Sequence, residues 1–283
     1  MKKRLDIHEG IFLAIVLFSS IAVFIPGTGY AQLMVSLLSV SSFLFGLFIA
    51  FSISDRHARL KELREQMNAG DALVVIIDKF SSVWNTKIHK KIKSLIDDWL
   101  ISTMDYKLED YSKTQPKFLK LIDYIVKLKL KSTKKEENYE KILDILKELN
   151  IQNKKIVYLT KDKMSSFEWG SIIILGTIIL FCLFIINNNT PASIVLVVLL
   201  ATTLVLLMLI LRDLDQLIWK ENEWNWESWM NVFSELNLIP YFPEEFIKNK
   251  RIILPKCTTY RSVKYPHKYP NIQNKIVTIK ISK

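Results

Sequence analysis

Histidine and cysteine side chains are the groups of this chain best suited to metal binding or nucleophilic catalysis. A zinc site, or a nucleophile with its base, needs several such groups close together. The six residues are His8, His57, His89, His267, Cys182 and Cys257. They are scattered, they include no Cys-x-x-Cys pair, and Cys182 lies inside an apolar segment. Their spacing therefore predicts no metal site, no disulfide and no catalytic pair.

Paired acids and glycine-rich loops would offer acid–base catalysis or phosphate binding. The adjacent carboxylates Asp97-Asp98, Glu136-Glu137 and Glu244-Glu245 lie in lysine-rich stretches, which are typical of a solvated face. The chain has seven glycines and no Gly-x-x-x-x-Gly-Lys-Ser/Thr motif. We therefore expect no enzyme activity, no catalytic residue and no cofactor.

The distribution of charge along the chain is more informative than its catalytic inventory. Half of the 283 residues are hydrophobic, yet 24% are charged. No Asp, Glu, Lys or Arg occurs between Gly10 and Ser54 or between Trp169 and Leu211. Two long uncharged blocks beside charged segments predict an integral membrane protein with a substantial polar part.

Each uncharged block is long enough for two helical crossings, because one crossing needs about 20 residues. Pro26-Gly27-Thr28-Gly29 interrupts the first block and Asn187 to Pro191 interrupts the second. The sequence predicts an all-α membrane protein with four transmembrane helices arranged as two hairpins. The predicted crossings are residues 10–26, 30–54, 169–186 and 192–211.

Lysine and arginine counts predict the orientation of these crossings. The first ten residues hold 3 of them, residues 55–168 hold 24 and residues 212–283 hold 12, whereas the two turns hold none. We therefore expect a multi-pass protein of the inner (plasma) membrane with cytoplasmic N- and C-termini. A signal peptide is the alternative for the first crossing, since Lys2-Lys3-Arg4 precedes it, but Asp6 and Glu9 suit such a leader poorly.

The polar region at 55–168 reads as cytoplasmic helices. Apolar residues recur every three or four positions from Ile88 to Leu100, from Phe118 to Val126 and from Tyr139 to Leu149. We expect breaks at Thr114-Gln115-Pro116 and at 131–134. We also expect continuous helices from the second crossing into this region, and from a helix carrying Lys154, Lys155, Lys161 and Lys163 into the third crossing.

Two segments follow the fourth crossing. Residues 212–239 hold Trp219, Trp224, Trp226 and Trp229, which predicts a juxtamembrane helix that lies either along the membrane surface or against the cytoplasmic helices. Residues 240–283 are rich in proline and tyrosine and predict a mostly extended tail. Within it, residues 275–281 alternate like a short strand.

The second crossing is the best candidate for a pore-lining helix. The crossings hold no ionisable residue, so a pore would require several subunits around an axis. Ser41, Phe45, Phe48, Ser52 and Asp55 project onto one face of that helix. This face would place two aromatic rings at a hydrophobic constriction and a carboxylate at its mouth. The structural alternative is that the serines bond to their own backbone and the phenylalanines face lipid or a neighbour.

Two stretches resemble a known family. FGLFIAFSISDRHARLKELREQMNAGDALVVIID (45–78) and LRDLDQLIW (211–219) are similar to the bestrophin-like family of uncharacterised bacterial four-pass membrane proteins, a domain of unknown function. The order of hairpin, helical insert, hairpin and tail also matches this family. Gln216 stands where a proline often follows the Leu-Asp pair, and the tryptophan-rich and proline-rich tail differs from the usual pattern.

The resemblance implies a helical subunit built like the bestrophin anion channels, a homo-oligomer that is a pentamer by analogy, and a pore lined by the second crossing. It also implies a polar cluster at the cytoplasmic edge of the membrane. The residues that match the family's motifs there are Asp55, Arg56, Arg59, Asn68, Asp213 and Asp215.

We therefore expect an oligomeric membrane protein that conducts ions, as chloride channels of this type do, with membrane lipids and further copies of the chain as partners. The alternative is a non-conducting membrane scaffold whose basic cytoplasmic helices recruit a partner or anionic lipid. Nucleic acid is not an expected partner, because positive charge beside a membrane follows from topology.

Overall fold

The computed structural model of the chain describes residues 7–24, 27, 32–128, 133–217, 227–248, 254 and 257–282. These residues are mostly helical and belong to two compact units. The first unit comprises residues 1–60 and 163–218, and the second comprises 61–162 and 219–283.

The α-helices of the described residues are α1 (Ile7–Phe24), α2 (Gln32–Ser81), α3 (Thr86–Asp105), α4 (Gln115–Val126), α5 (Thr133–Lys161), α6 (Ser166–Ile186), α7 (Pro191–Asp215), α8 (Glu227–Glu235) and α9 (Glu244–Lys248). A 3-10 helix, Leu108–Thr114, precedes α4. The strands are β1 (Tyr241–Pro243), β2 (Thr259–Lys264) and β3 (Ile276–Ile281).

Four stretches of the described residues are long and apolar enough to cross a membrane, and they lie in α1, α2, α6 and α7. The turn between α6 and α7 falls where the sequence predicts it. Pro191 opens α7, and the hydroxyl of Thr190 caps it by accepting the Ser193 N–H at 3.3 Å. Of the other predicted turn, only Gly27 belongs to the described residues.

Small residues allow the apolar helices of the first unit to approach closely. Phe45 and Ile49 of α2 belong to a core cluster with residues of α6 and α7. A Cβ at Gly176 would lie 3.3 Å from a methyl carbon of Leu204. Ala14 and Phe18 of α1 form a second cluster with α7. This packing is typical of membrane helices, where close van der Waals contact replaces the hydrophobic effect.

The prediction that the third crossing continues from a cytoplasmic helix is wrong. Helix α5 ends at Lys161, and α6 begins only at Ser166. The Ser165 hydroxyl accepts the Glu168 N–H at 3.2 Å, and the Glu168 carboxylate accepts the Ser165 N–H at 2.7 Å. This capping box satisfies the first N–H groups of α6 and starts a new helix.

The second unit confirms the predicted apolar stripes. Buried members of each stripe come from α3, α4 and α5: Ile92, Ile96, Trp99, Leu100, Phe118, Leu121, Ile125, Ile142, Leu146 and Leu149. The ring centroids of Trp99 and Phe118 are 4.9 Å apart. The predicted break before α4 is also confirmed, with Pro116 in the first turn of that helix. The predicted break at 131–134 is only partly covered, because 131–132 lie outside the described residues.

The tail contains a three-stranded sheet in the order β1-β2-β3. Strands β1 and β2 are parallel, and β2 and β3 are antiparallel. The predicted strand at 275–281 is confirmed as β3. In the tryptophan-rich segment, Trp219, Trp224 and Trp226 lie outside the described residues, and α8 begins at Glu227.

Candidate functional site

The polar cluster predicted from the family motifs centres on Asp215, the last residue of α7. Its side chain is only 4% exposed. The carboxylate accepts the Met164 backbone N–H at 2.8 Å and the Trp169 indole N–H at 3.3 Å. It also lies 3.6 Å from a guanidinium nitrogen of Arg56. Three polar contacts thus compensate the burial of this carboxylate.

Two arginines of α2 hold the carboxyl end of α7. Arg56 pairs with the side chain of Asp215, and Arg59 donates from Nη1 to the backbone carbonyl of Asp215 at 2.9 Å. Both guanidinium groups are buried. The carbonyls at the end of a helix carry partial negative charge and lack helical partners. The two arginines therefore compensate the end of α7 as well as its aspartate.

The other predicted members of the cluster occupy different positions. Asp213 is buried and accepts two hydrogen bonds from its neighbour Arg212, at 2.8 Å and 2.7 Å. Asp55 is exposed, and one of its oxygens lies 3.0 Å from Nε of Arg56. Asn68 belongs to the second unit, where it lines a groove. Arg56, Arg59 and Asp215 are thus brought together, whereas Asp213 pairs with its own neighbour.

Met164 and Trp169 complete the cluster, and sequence reasoning missed both. Their signal was present in the capping box Ser165-x-x-Glu168, which marks a helix start directly after Met164. That start fixes the Met164 N–H outside the new helix, free to donate to Asp215. The indole of Trp169 follows one turn later.

The five residues proposed to line a pore lie on both sides of a packing boundary of α2. Ser41 and Phe45 are buried, and Phe45 packs in the core formed with α6 and α7. Ser52 is half-buried, and Phe48 and Asp55 are exposed. Helical periodicity places these residues on one face, but it does not say which edge of that face the neighbouring helices cover.

An exposed arc runs along α2 beside that boundary. Its members lie within about 60° of one another at 100° per residue. They are Leu44, Phe48, Phe51 and Asp55. Phe48 is 46% exposed and Phe51 is 68% exposed, so this arc, unlike Ser41 and Phe45, is exposed, as is Phe43 elsewhere on α2.

The turn between α6 and α7 is held by Asn187, which is 1% exposed. Its Nδ2 donates to the carbonyl of Ala22 at 3.2 Å, and its Oδ1 accepts from the Ser193 hydroxyl at 2.8 Å. A Cβ at Gly27 would lie 2.0 Å from the Asn187 carbonyl oxygen, so only glycine fits there. The uncharged turn is thus satisfied by its own side chains.

A second polar cluster, in the second unit, surrounds Asp105 at the end of α3. Its carboxylate accepts from the hydroxyls of Tyr241 and Tyr265 at 2.6 Å and 2.8 Å. The ammonium of Lys275 lies 2.5 Å away. Burial, followed by the charge of Asp105, raises the pKa of both tyrosines, so both hydroxyls remain donors.

Arg261 of β2 forms a parallel link between the sheet and α3. It makes two bonds of 2.7 Å to the carboxylate of Asp97, the bidentate geometry that guanidinium favours. These tyrosine, lysine and arginine contacts with Asp97 and Asp105 dock the tail against α3. Sequence reasoning missed them because Asp97-Asp98 looked like part of a solvated face.

The chain is similar to known bestrophin-like proteins. A family model described as the bestrophin-like domain matches residues 28–216. A crystal structure of a bacterial bestrophin homologue from Klebsiella pneumoniae, carrying one leucine-to-threonine substitution, matches with a TM-score of 0.60 at 14% sequence identity. The match covers 81% of this chain and 98% of that one. Comparison with curated protein sequences gives no match.

Proposed function

Because the chain belongs to the bestrophin-like family, we propose that it is an oligomeric ion channel of the inner membrane, selective for anions by family analogy. Four apolar helices of membrane-spanning length and the shared fold support this function. In this proposal α1 with α2, and α6 with α7, form two hairpins. The sequence motifs of an enzyme are lacking, and we assign the chain no catalytic role.

The proposed topology places both termini in the cytoplasm. Charge supports it, since residues 55–168 and 212–283 hold 36 of the 39 lysines and arginines. In this orientation Arg56, Arg59 and Asp215 lie at the cytoplasmic edge, where buried ion pairs are less costly than at mid-membrane. Asn187 marks the external turn.

The exposed arc of α2 is the surface that we propose lines the pore. Leu44, Phe48 and Phe51 offer apolar side chains one turn apart, and Asp55 follows at the polar end. Repeated around an axis by further copies of the chain, these residues would form a hydrophobic constriction that gates by dewetting. Ser41 and Phe45 would then support the pore wall from behind.

Asp55 bears on the selectivity of the proposed pore. A ring of carboxylates favours cations, whereas bestrophin-type conduction implies anions. The contact of Asp55 with Arg56 offsets part of its charge, since Arg56 also lies beside Asp215. Asp55→Asn should therefore increase the preference for chloride over sodium.

The test is ion flux from liposomes that contain the purified protein, together with its oligomeric state in detergent. We expect an oligomer and a flux that rises when Phe48 and Phe51 are both replaced by alanine. Phe43→Ala is the matched control, because Phe43 is as exposed as Phe51 but projects about 140° away from Phe48 and about 80° away from Phe51. A monomer, or no flux in any ion gradient, would contradict the proposal.

A non-conducting scaffold is the second candidate, and β3 is the observation that favours it. Its apolar side chains Ile276, Ile279 and Ile281 are more than half exposed, so the strand offers an apolar edge to a partner. Deletion of residues 257–283 should then abolish partner capture while the membrane part still assembles. Loss of oligomerisation on that deletion would instead assign the strand to contacts between subunits.

A further inference from the structure

A small cavity lies in the second unit between α2, α3, α5 and the 3-10 helix. It has a volume of about 20 Å³. A cavity of roughly 10–15 Å³ is large enough to hold one water. It therefore has room for one water molecule or one ion. Its polar lining residues are Asp71, Thr103, Tyr111, Gln152 and Asn153.

Among the described residues that line this cavity, Asp71 alone is formally charged. Among the described residues, its carboxylate forms no ion pair and accepts no hydrogen bond. Burial raises its pKa to about 7. The other titratable lining residue, Tyr111, has a pKa raised by burial and then by the charge of Asp71. The carboxylate is thus only partly exposed, and the described residues that line the cavity offer it no compensating positive charge.

Two amide oxygens in the same lining also lack partners within the described part of the chain. They are Oε1 of Gln152 and Oδ1 of Asn153. Asn153 is 2% exposed. The amide nitrogen of Gln152 donates to the Glu148 carboxylate at 3.4 Å, which leaves Oε1 as the free end. A buried acceptor without a partner costs about 1–3 kcal/mol.

Gly70 keeps this space open. A Cβ there would lie 3.6 Å from Oε1 of Gln152 and 3.6 Å from a methyl carbon of Leu149. Glycine inside a helix costs about 0.5–1 kcal/mol relative to alanine. Here the absent side chain leaves a free volume beside an acceptor oxygen, which is what a bound ion needs.

Asp71 also lines a second, open concavity, a groove of about 250 Å³. The polar residues of this groove include Asn68 of α2 and Asn231 and Glu235 of α8. Glu235 adds a second carboxylate to the groove, and none of the described residues that line it is a lysine or an arginine. The groove therefore gives a cation an acidic approach to the carboxylate of Asp71.

We propose that the cavity binds one monovalent hard cation, sodium, through the Asp71 carboxylate and the side-chain oxygens of Gln152 and Asn153. Carboxylate and amide oxygens are ligands that hard cations prefer. One formal negative charge matches one positive charge, whereas calcium sites supply more oxygen ligands and usually several carboxylates. No group of three or more His, Cys, Asp or Glu residues suited to a metal occurs in the described ranges.

The test is thermal unfolding of the purified full-length protein in detergent, with sodium chloride or choline chloride at equal ionic strength. Sodium should raise the unfolding temperature to a plateau in the wild type. Asp71→Asn keeps the side-chain shape but removes the charge, and it should weaken the apparent sodium affinity about tenfold or more. Asp144→Asn, which removes an exposed carboxylate of α5, should leave the sodium response unchanged.

Gly70→Ala provides an independent variant, because it narrows the cavity without changing any charge. It should raise stability in choline through helix propensity and reduce the response to sodium. An equal response to sodium and choline would overturn the proposal and assign the cavity to water. A sodium response that survives in Asp71→Asn would overturn it as well, and so would a larger response to calcium at matched ionic strength.

Discussion

Asp215 in the first unit and Asp71 in the second are aspartates in contrasting surroundings. Asp215 is bonded by a backbone N–H and an indole and lies beside the guanidinium of Arg56. Asp71 has no ion pair or side-chain hydrogen bond among the described residues, and its pKa is raised to about 7. The contrast shows that burial alone does not define a role for a carboxylate. Asp215 anchors helices, whereas in our proposal the carboxylate of Asp71 coordinates a cation.

The largest effect should come from Asp215→Ala. This change removes one of the two carboxylates beside Arg56 and leaves the Met164 N–H and the Trp169 indole N–H without their acceptor. Breaking a buried pair costs about 3–5 kcal/mol. Chemical denaturation in detergent should show a loss of that size, and Asp55→Ala, at an exposed carboxylate, should cost less than about 1 kcal/mol. Equal losses would remove the distinction between an anchor and a surface charge.

Asp71→Asn should raise the free energy of unfolding, whereas Asp215→Ala lowers it. The folded-state pKa of Asp71, about 7, lies above the value near 4 of an unfolded aspartate. The folded protein therefore binds more protons between these values, and its stability falls as the pH rises from about 4 to about 7. With choline as the cation, the variant should flatten this fall and gain about 1–3 kcal/mol at pH 8, after allowance for partial exposure.

The control for that pH profile is Asp144→Asn, whose carboxylate is exposed. Tyr111 and Glu235 are the other titratable groups that line the cavity and the groove beside Asp71. Neither changes in the variant. A variant profile as steep as the wild-type profile would mean that Asp71 is not the group responsible.

Asp105 is intermediate between Asp215 and Asp71, because neutral hydroxyl groups donate two of its hydrogen bonds. Tyr241→Phe removes a donor to Asp105 and leaves the ring in place. We expect a loss of about 1–2 kcal/mol in the same denaturation measurement. Tyr158→Phe, at a hydroxyl on a largely exposed side chain, is the matched control. No difference between the two variants would show that Tyr265 and Lys275 satisfy Asp105 without Tyr241.

The smallest effect should come from Ser165→Ala. The variant loses the cap of α6 but keeps every ligand of Asp215. Losing such a cap costs about 1 kcal/mol. Ser82→Ala, at an exposed serine that bonds to the Lys79 carbonyl, is the control. A loss as large as that of Asp215→Ala would show that the cap itself holds Met164 against Asp215.

Much of the fold could be predicted from local signals. The turn at Asn187 to Pro191, the stripes of α3, α4 and α5, and the strand β3 all follow from breakers and periodicity. Each of these signals lies within one segment of the chain, so it can be recognised without knowing the tertiary contacts. The break before α6 was equally local, because the capping box Ser165-x-x-Glu168 marks it, but the prediction of a continuous helix missed that signal.

The candidate sites depend on tertiary contacts and were harder to predict. Family motifs pointed to Arg56, Arg59 and Asp215, whereas nothing in the sequence distinguished Asp71 from a solvated aspartate. Its environment is created by α3 and α5, which are distant along the chain. The burial of Phe45 was missed for the same reason. Periodicity predicts its face of α2, but not that α6 and α7 cover it.

The satisfied, uncharged turn at Asn187 has a consequence for biosynthesis. Its polar atoms bond to Ala22, Asn189 and Ser193, and it contains no ionised side chain. A charged residue at the centre of a helix costs about 2.5–3.5 kcal/mol during insertion by the translocon. In the proposed topology the turn passes through the bilayer without that cost, so α6 and α7 can enter the lipid together as one unit.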